Sequence, residues 1–211
     1  MKTVEIHSKG SVGYEEAMSF ARRIYRDRLS ATLTASHEPD VMFAVREGGR
    51  MTACMGINRT IHNGMIRGDS RVRFALRTVD HGAAEQSILA IEQCSVALVS
   101  LVSLVAQYAR TVGFSTIVFM GIAVSLKTIE RLGLNLRILG PVDRSLIPAG
   151  HEHIYDQWLR DHDPQVCVVD TGSAGIASNL FRKLANKFVI GPELIRALGP
   201  EAALHHLPVA A

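Results

Sequence analysis

Apolar positions along the chain repeat at two periods, and each period predicts an element. Ile88 to Val96 is a short apolar, partly β-branched run interrupted by Glu92 and Gln93, the pattern of a buried strand that carries one polar task. From Ala97 to Arg110 the residues Leu98, Leu101, Val102, Val105 and Ala109 recur at three- and four-residue steps, which predicts a long helix, and Gly113 stands where a left-handed cap costs least. Ile117 to Phe119 reads as a second strand, Ser125 as the cap of a second helix that Gly133 terminates, and Leu134 to Leu139 as a third strand. Strands joined through helices in this way run parallel and are buried on both faces. A polar Glu92 in such a strand must meet a hydrogen-bond partner, a solvent cleft or a ligand.

The flanking segments follow the same logic. Thr3 to His7 alternates like an edge strand, and Tyr14 to Leu29 is helical, with Ala17, Phe20, Ala21, Ile24 and Tyr25 on one face. Arg22, Arg23, Arg26 and Arg28 crowd the end of that helix, where cations suit the dipole or meet an anionic ligand. Asp40 to Glu47, the Gly48-Gly49 turn and Arg50 to Asn58 form a hairpin. Ser30 to Glu38 is irregular, and Thr60 to His81 is read as loops with small helical or strand pieces such as Arg71 to Leu76. Pro141 to Gly150 connects to a mixed polar and aromatic stretch, His151 to His162, and Gln165 to Thr171 is a further strand. Ser173 to Phe188 and Pro192 to His206 are predicted helical. The reading is of one α/β domain, residues 1–171, with a C-terminal helical extension, residues 172–211, packed on it.

Composition narrows the class. A chain of 211 residues with 47% hydrophobic and 20% charged residues is globular, and a net charge of +3 is too small to argue for nucleic acid or an anionic membrane. Cys54, Cys94 and Cys167 lie in apolar runs without CxxC spacing, so reduced, buried thiols are expected. His151 and His153 are two apart, but no Cys or third His joins them, and no metal site is expected. The first ten residues lack a signal-peptide core, and the most hydrophobic segment, Val96 to Ala106, is shorter than the about 20 residues a membrane helix needs. A soluble, cytoplasmic protein is expected.

The order of these elements has a parallel. A helix, a Gly-turned hairpin, a strand carrying a Glu, a long helix ending in "ARTVGF", a strand, and a helix ending in "ERLGL" before another strand resembles the GNAT acyltransferase fold. "RRIYRDRL", "DVMFAVREGGRMTACMGINRT" and "GFSTIVFMGIAVSLKTIERLGLNLRILGP", with the later "LIPAG" and "YDQWLRDHDPQVCVVDTG", are similar to the thermostable hemolysin family and its relatives, the acyl-homoserine lactone synthases. The resemblance covers roughly Tyr14 to Thr171. It implies a mixed central sheet with splayed parallel strands flanked by helices, and an acyltransferase-like fold rather than a pore. In the lactone-type synthases it places Glu92, and Arg59 followed by Thr60, in the active-site region. The aromatic pair and the aspartate pair that hold S-adenosylmethionine in those enzymes are missing: the corresponding LSATLTASHEPD has no Trp or Phe, and only Asp40 remains of the aspartates.

Acyl transfer from a thioester to an amine needs a proton acceptor near the acyl carbon and donors for the developing oxyanion. Glu92 is the candidate base. The alternative is a carboxylate that satisfies local backbone or pairs with an arginine such as Arg59, and His62, His151 and His153 are other candidate bases. The resemblance also implies a coenzyme A loop of Gln or Arg followed by glycine-like positions. Here it reads Gln93-Cys94-Ser95-Val96-Ala97-Leu98, so only Gln93 and Ala97 match, and Val96 stands where glycine lets a pyrophosphate approach a helix N-terminus. A donor on an acyl or peptidyl carrier protein fits better than free coenzyme A. Arg22, Arg23 and Arg26, with Arg110 and Lys127, offer such an acidic partner a surface, unless they are simply a solvated helix face. Gln93, Cys94, Ser125, Arg59 and Thr60 are the expected substrate contacts, and a small-molecule amine is the expected acceptor. The rival readings are a lactone synthase that uses S-adenosylmethionine and a non-catalytic acyl-binding domain.

Overall fold

A computed structural model describes residues 2–77, 82–92, 96–147, 152–173 and 188–198. The chain begins with strand β1 (Lys2–Ser8) and helix α1 (Val12–Leu29), followed by the hairpin β2 (Val41–Glu47) and β3 (Arg50–Asn58). Two short helices, α2 (Gly64–Gly68) and α3 (Ser70–Arg77), lead to β4 (Ala83–Ile91), α4 (Val96–Thr111), β5 (Thr116–Gly121), α5 (Ala123–Arg131) and β6 (Asn135–Pro141). Helix α6 (Glu152–His162), β7 (Gln165–Asp170), β8 (Phe188–Ile190) and α7 (Pro192–Leu198) complete the described elements.

The eight strands form one mixed sheet in the order β6-β7-β5-β4-β3-β2-β1-β8. The hairpin forms because Gly48 and Gly49 both take positive φ, 58° and 82°, the combination a tight two-residue turn demands. Its strands are buried on both faces: Val41, Phe43 and Val45 join the core beneath α4, while Met42 and Ala44 pack against α1. That double burial explains the unbroken apolar run. On the α1 face Tyr14, Ala17, Met18, Phe20, Ala21 and Ile24 meet Cys54, Ile88 and Ala90. On the opposite face Leu101, Leu104, Val105 and Ala109 of α4 are buried with Phe43, Met55 and Ile117. Cys54 and Cys167 are buried free thiols, and Cys94 lies outside the described residues.

Strands β4 and β5 are parallel neighbours, but only Ala83↔Thr116, Ala84↔Ile117 and Glu85↔Val118 pair. Both strands continue, to Ile91 and Gly121, without further pairing. This is a splay, and α5 and the end of α1 sit at its mouth.

Beyond shifts of one or two residues at element ends, such as α1 starting at Val12 and β6 running from Asn135 to Pro141, several features differ from the sequence expectation. The strand expected at Ile88 to Val96 runs from Ala83 to Ile91; the polar Glu85, Gln86 and Ser87 disguise its first half, which β3 and β5 nonetheless flank. Thr3 to His7 is a sheet edge only in part, because β8 pairs parallel with Lys2 to Val4 of β1 and covers the backbone groups of that half alone. Phe188 therefore opens a strand rather than ending a helix, and the rest of the helix expected at Ser173 to Phe188 lies mostly outside the described residues. Helix α5 starts two residues ahead of Ser125. That side chain reaches back from the first turn, its Oγ 3.1 Å from the Ile122 amide nitrogen and 2.8 Å from the Ile122 carbonyl oxygen.

Candidate active site

The splay opens into a cavity of about 300 Å3. Leu89 and Ile91 of β4 and Phe119 and Met120 of β5 form its floor, Leu98 and Val102 of α4 close one side, and Ile24, Tyr25 and Arg28 of α1 close the other. Ser125 and Val124 of α5 and Trp158 of α6 stand at its rim. The lining is mainly apolar, with a few convergent polar groups: Tyr25, Arg28, His37, Asn63, Gln86 and Ser87. Such a lining suits a long apolar ligand with one polar reacting centre. The Ser87 hydroxyl is buried without a hydrogen-bond partner among the described residues.

Two α1 side chains reach the open end of β4. The Arg28 guanidinium donates to the carbonyl oxygens of Ile91 and Glu92. The Tyr25 hydroxyl accepts the N–H of Leu89 at 3.2 Å. Burial pushes the Tyr25 phenol up to about 12, against the opposing pull of that N–H, so it keeps its proton throughout the working pH range.

Glu85 stands behind the lining, next to Gln86 in β4 and outside the cavity itself, and its side chain is buried. It stands at the last residue pair before the splay, and its oxygens accept the backbone N–H groups of His62 and Asn63. Burial raises its pKa above the ordinary value of 4.5, and the two backbone donors, the charge of His62 and the Asn58 side chain offset only part of that. The loop it holds brings Asn63 to the cavity, and Gln86, its neighbour in β4, lines the same space.

The residues expected from the sequence distribute differently. Ser125 lines the cavity. Glu92 lies one residue past β4, outside the lining, with its carboxylate against the guanidinium of Arg50 and 3.7 Å from that of Arg23. Its arginine partners are therefore Arg50 and Arg23, not Arg59. Arg59 is exposed just after β3, its backbone N–H donating to Asp40 Oδ2 at 2.8 Å, and Thr60 Oγ1 is 2.7 Å from His62 Nε2. Neither lines the cavity. Arg22 pairs with Glu38 at 3.0 Å and Arg26 with Asp27 at 3.0 Å, while Arg23 also lies over the Phe20 ring. Gln93, Cys94 and His151 lie outside the described residues, and of His153 only the backbone, in α6, is described. Sequence reasoning missed Glu85, Tyr25 and Asn63, and named Arg28 only as one of four arginines at the end of α1 that suit the dipole or meet an anionic ligand. The available signal for Glu85 was its place three residues ahead of an apolar run, where continuing the strand backwards buries it.

Among the described residues no three His, Cys, Asp or Glu side chains gather as metal ligands do, and no helix is long and apolar enough to cross a membrane. The sequence matches no protein-family profile and no curated protein sequence. The fold does match solved structures. The coenzyme A-dependent acyl-homoserine lactone synthase BjaI, solved with SAM and isopentyl-CoA, aligns over 97% of this chain and 100% of its own, with 12% identity and a TM-score of 0.63. FeeM, an N-acyl amino acid synthase from uncultured soil microbes, aligns over 87% and 98% with 14% identity and a TM-score of 0.58. The AHL synthase LasI aligns over 84% and 93% with 14% identity and a TM-score of 0.55. At these identities the likeness is one of fold: an acyltransferase architecture built on a mixed sheet, as the order of elements in the sequence implies.

Proposed function

We propose that this chain is an N-acyltransferase that moves an acyl or aminoacyl group from a pantetheine thioester to an amine. The observation that carries this reading is the splay between β4 and β5, which opens into an apolar cavity with polar groups at its neck. A pantetheine arm lies along such a cleft and brings its acyl chain into the apolar part. The fold it shares with acyl-homoserine lactone and N-acyl amino acid synthases supports the same chemistry.

In this reading the amine reaches the acyl carbon from the α1 side, where Arg28 and His37 line the cavity. An acceptor ammonium must lose a proton before it attacks. Of the two candidate carboxylates, Glu85 fits that task better than Glu92. Neither lines the cavity, but Glu85 is buried directly behind it beside Gln86, its pKa is raised above the ordinary value, and it carries the backbone of the lining residue Asn63 on its own oxygens. Glu92, the base expected from the sequence, holds two arginines outside the cavity instead.

For the donor, the sequence Gln93-Cys94-Ser95-Val96-Ala97-Leu98, with valine in place of a glycine, supports a carrier-protein thioester over free coenzyme A, because a pyrophosphate approaches a helix N-terminus most closely over glycine. The absence of an aromatic pair in LSATLTASHEPD weighs against S-adenosylmethionine as acceptor. Incubating the protein with carrier-bound and coenzyme A-bound thioesters and a panel of amines that includes S-adenosylmethionine, with mass spectrometry of the products, tests all three points. An N-acylated amine formed faster from the carrier is the expected result. Thioester hydrolysis alone, or no product from any pair, removes the reading.

A further inference from the structure

In the splay the backbone of β4 has lost its β5 partner, and the question is what becomes of its N–H groups. Leu89 lies four residues beyond Glu85, the last residue paired to β5. Its N–H is taken by a side chain from another element: the Tyr25 oxygen, 3.2 Å away. That oxygen therefore spends acceptor capacity on Leu89, and among the described residues its own O–H has no acceptor in the protein. Both Tyr25 and Leu89 line the cavity. A neutral phenol with an N–H donated to its oxygen is a stronger donor than a free one, because each hydrogen bond in a chain polarises the next.

We infer that the Tyr25 hydroxyl, backed by the Leu89 N–H, is the hydrogen-bond donor to the thioester carbonyl oxygen as negative charge develops on it. This rests on the acyl-transfer reading above and adds one catalytic residue to it. The amine nitrogen attacks the carbonyl carbon, a C–N bond forms, and the π pair moves to the oxygen that Tyr25 faces. The intermediate then collapses and the C–S bond breaks. The sulfur leaves with the bonding pair. The ammonium gives up two protons in all: the first, lost before attack, passes through Glu85 to solvent, and the second, lost from the cationic nitrogen of the adduct, passes through Glu85 to the leaving sulfur, so the carboxylate is regenerated. Tyr25 itself ends the cycle unchanged, since it donates a hydrogen bond and not a proton. The ordinary role for such a residue is packing, but packing needs only the ring, and phenylalanine supplies that.

The test compares the full-length wild type with Tyr25→Phe in two measurements. The first is the infrared carbonyl stretch of an S-acyl pantetheine labelled with 13C at the carbonyl and bound to the protein. It is expected below its position in an apolar solvent in the wild type, and back at that position in Tyr25→Phe. The second is single-turnover transfer, where loss of one oxyanion donor lowers the rate about 100- to 1,000-fold, with the amine KM held within about three-fold because the contact is made mainly in the transition state. Incorporating 3,5-difluorotyrosine at position 25, a more acidic phenol, deepens the carbonyl shift; a packing role leaves it unmoved. An unshifted carbonyl in the wild type, or a shift that survives in Tyr25→Phe, overturns the assignment. A shifted carbonyl that depends on Tyr25, in a protein that acylates no amine, upholds the donor and removes the N-acyl transfer reading, so the two failures are distinguishable.

Discussion

At the scale of single residues, the two carboxylates of β4 and its end make opposite predictions. Glu85 is buried with a raised pKa, so Glu85→Gln should lower turnover by about 100- to 10,000-fold, as loss of a general base does. The acid limb of the wild-type rate profile should then lie above pH 4.5, the ordinary carboxylate value. The stability consequence has a definite sign. A folded-state pKa raised above the unfolded one means that the stabilising contribution of Glu85 is complete below the unfolded pKa and lost as pH rises through the folded one. Melting curves across that window should show the wild type losing stability relative to Glu85→Gln as pH increases; an opposite slope would contradict the burial argument. Glu92, by contrast, holds Arg50, whose side chain is 70% exposed. An ion pair so open to water is worth about 0–1 kcal/mol, and Glu92→Gln should leave both melting temperature and single-turnover rate nearly unchanged. A large rate loss there, with Glu85→Gln still active, would return the base to Glu92.

At the scale of elements, the glycines that flank β5, Gly113 before it and Gly121 at its end, separate backbone geometry from contact. Gly113 ends α4 with φ at 91°, and a Cβ built there meets nothing within 4 Å. Gly113→Ala therefore isolates the conformational cost, about 1–2 kcal/mol for a residue forced into the left-handed region, without a clash to confuse it. Denaturant titration should give a lower midpoint with an unchanged slope. Gly121, at the turn from β5 into α5, is the opposite case: a Cβ there would lie 2.4 Å from Leu126 Cδ2 and 2.9 Å from Phe119 Cε2. Phe119 lines the cavity, so Gly121→Ala should impair donor binding as well as stability, whereas Gly113→Ala should impair stability alone. Isothermal titration with an S-acyl pantetheine separates the two.

At the scale of the whole molecule, the net charge of +3 is modest, and Arg22, Arg23 and Arg26 already have carboxylate partners. Their pairing leaves the carrier surface a matter of local field. If an acidic carrier docks beside the cavity, kcat/KM for a carrier-bound donor should fall steeply between 50 and 300 mM salt, roughly as the Debye length shortens, while a small pantetheine thioester should show little change. Arg22→Glu should slow the first reaction only. Equal salt dependence for both donors would place the charge effect in the chemistry rather than in docking.

The sequence alone determined the elements whose signal is local. The Gly48-Gly49 hairpin, the periodic faces of α1 and α4, and the glycine stops at Gly113 and Gly133 follow from turn geometry and amphipathic spacing, and their order already resembles the fold that the structure shares with the solved synthases. Of the cavity lining, Ser125 was singled out from the sequence because it falls where a helix starts after a strand, although it stands in the first turn of α5 rather than at its cap. Glu85 was not, because a carboxylate among Gln86 and Ser87 reads as a solvent-facing stretch until β3 and β5 are laid on either side of it. Tyr25 read as one more core position, and Arg28 as one of four cations that either compensate the α1 dipole or meet an anion, with nothing to single it out. Only the packing of α1 across the open end of β4, 64 residues away for Tyr25 and Leu89, gives them a backbone to hold and a cavity to face. Contacts at that separation are set by how layers stack, and no periodicity within one segment encodes them.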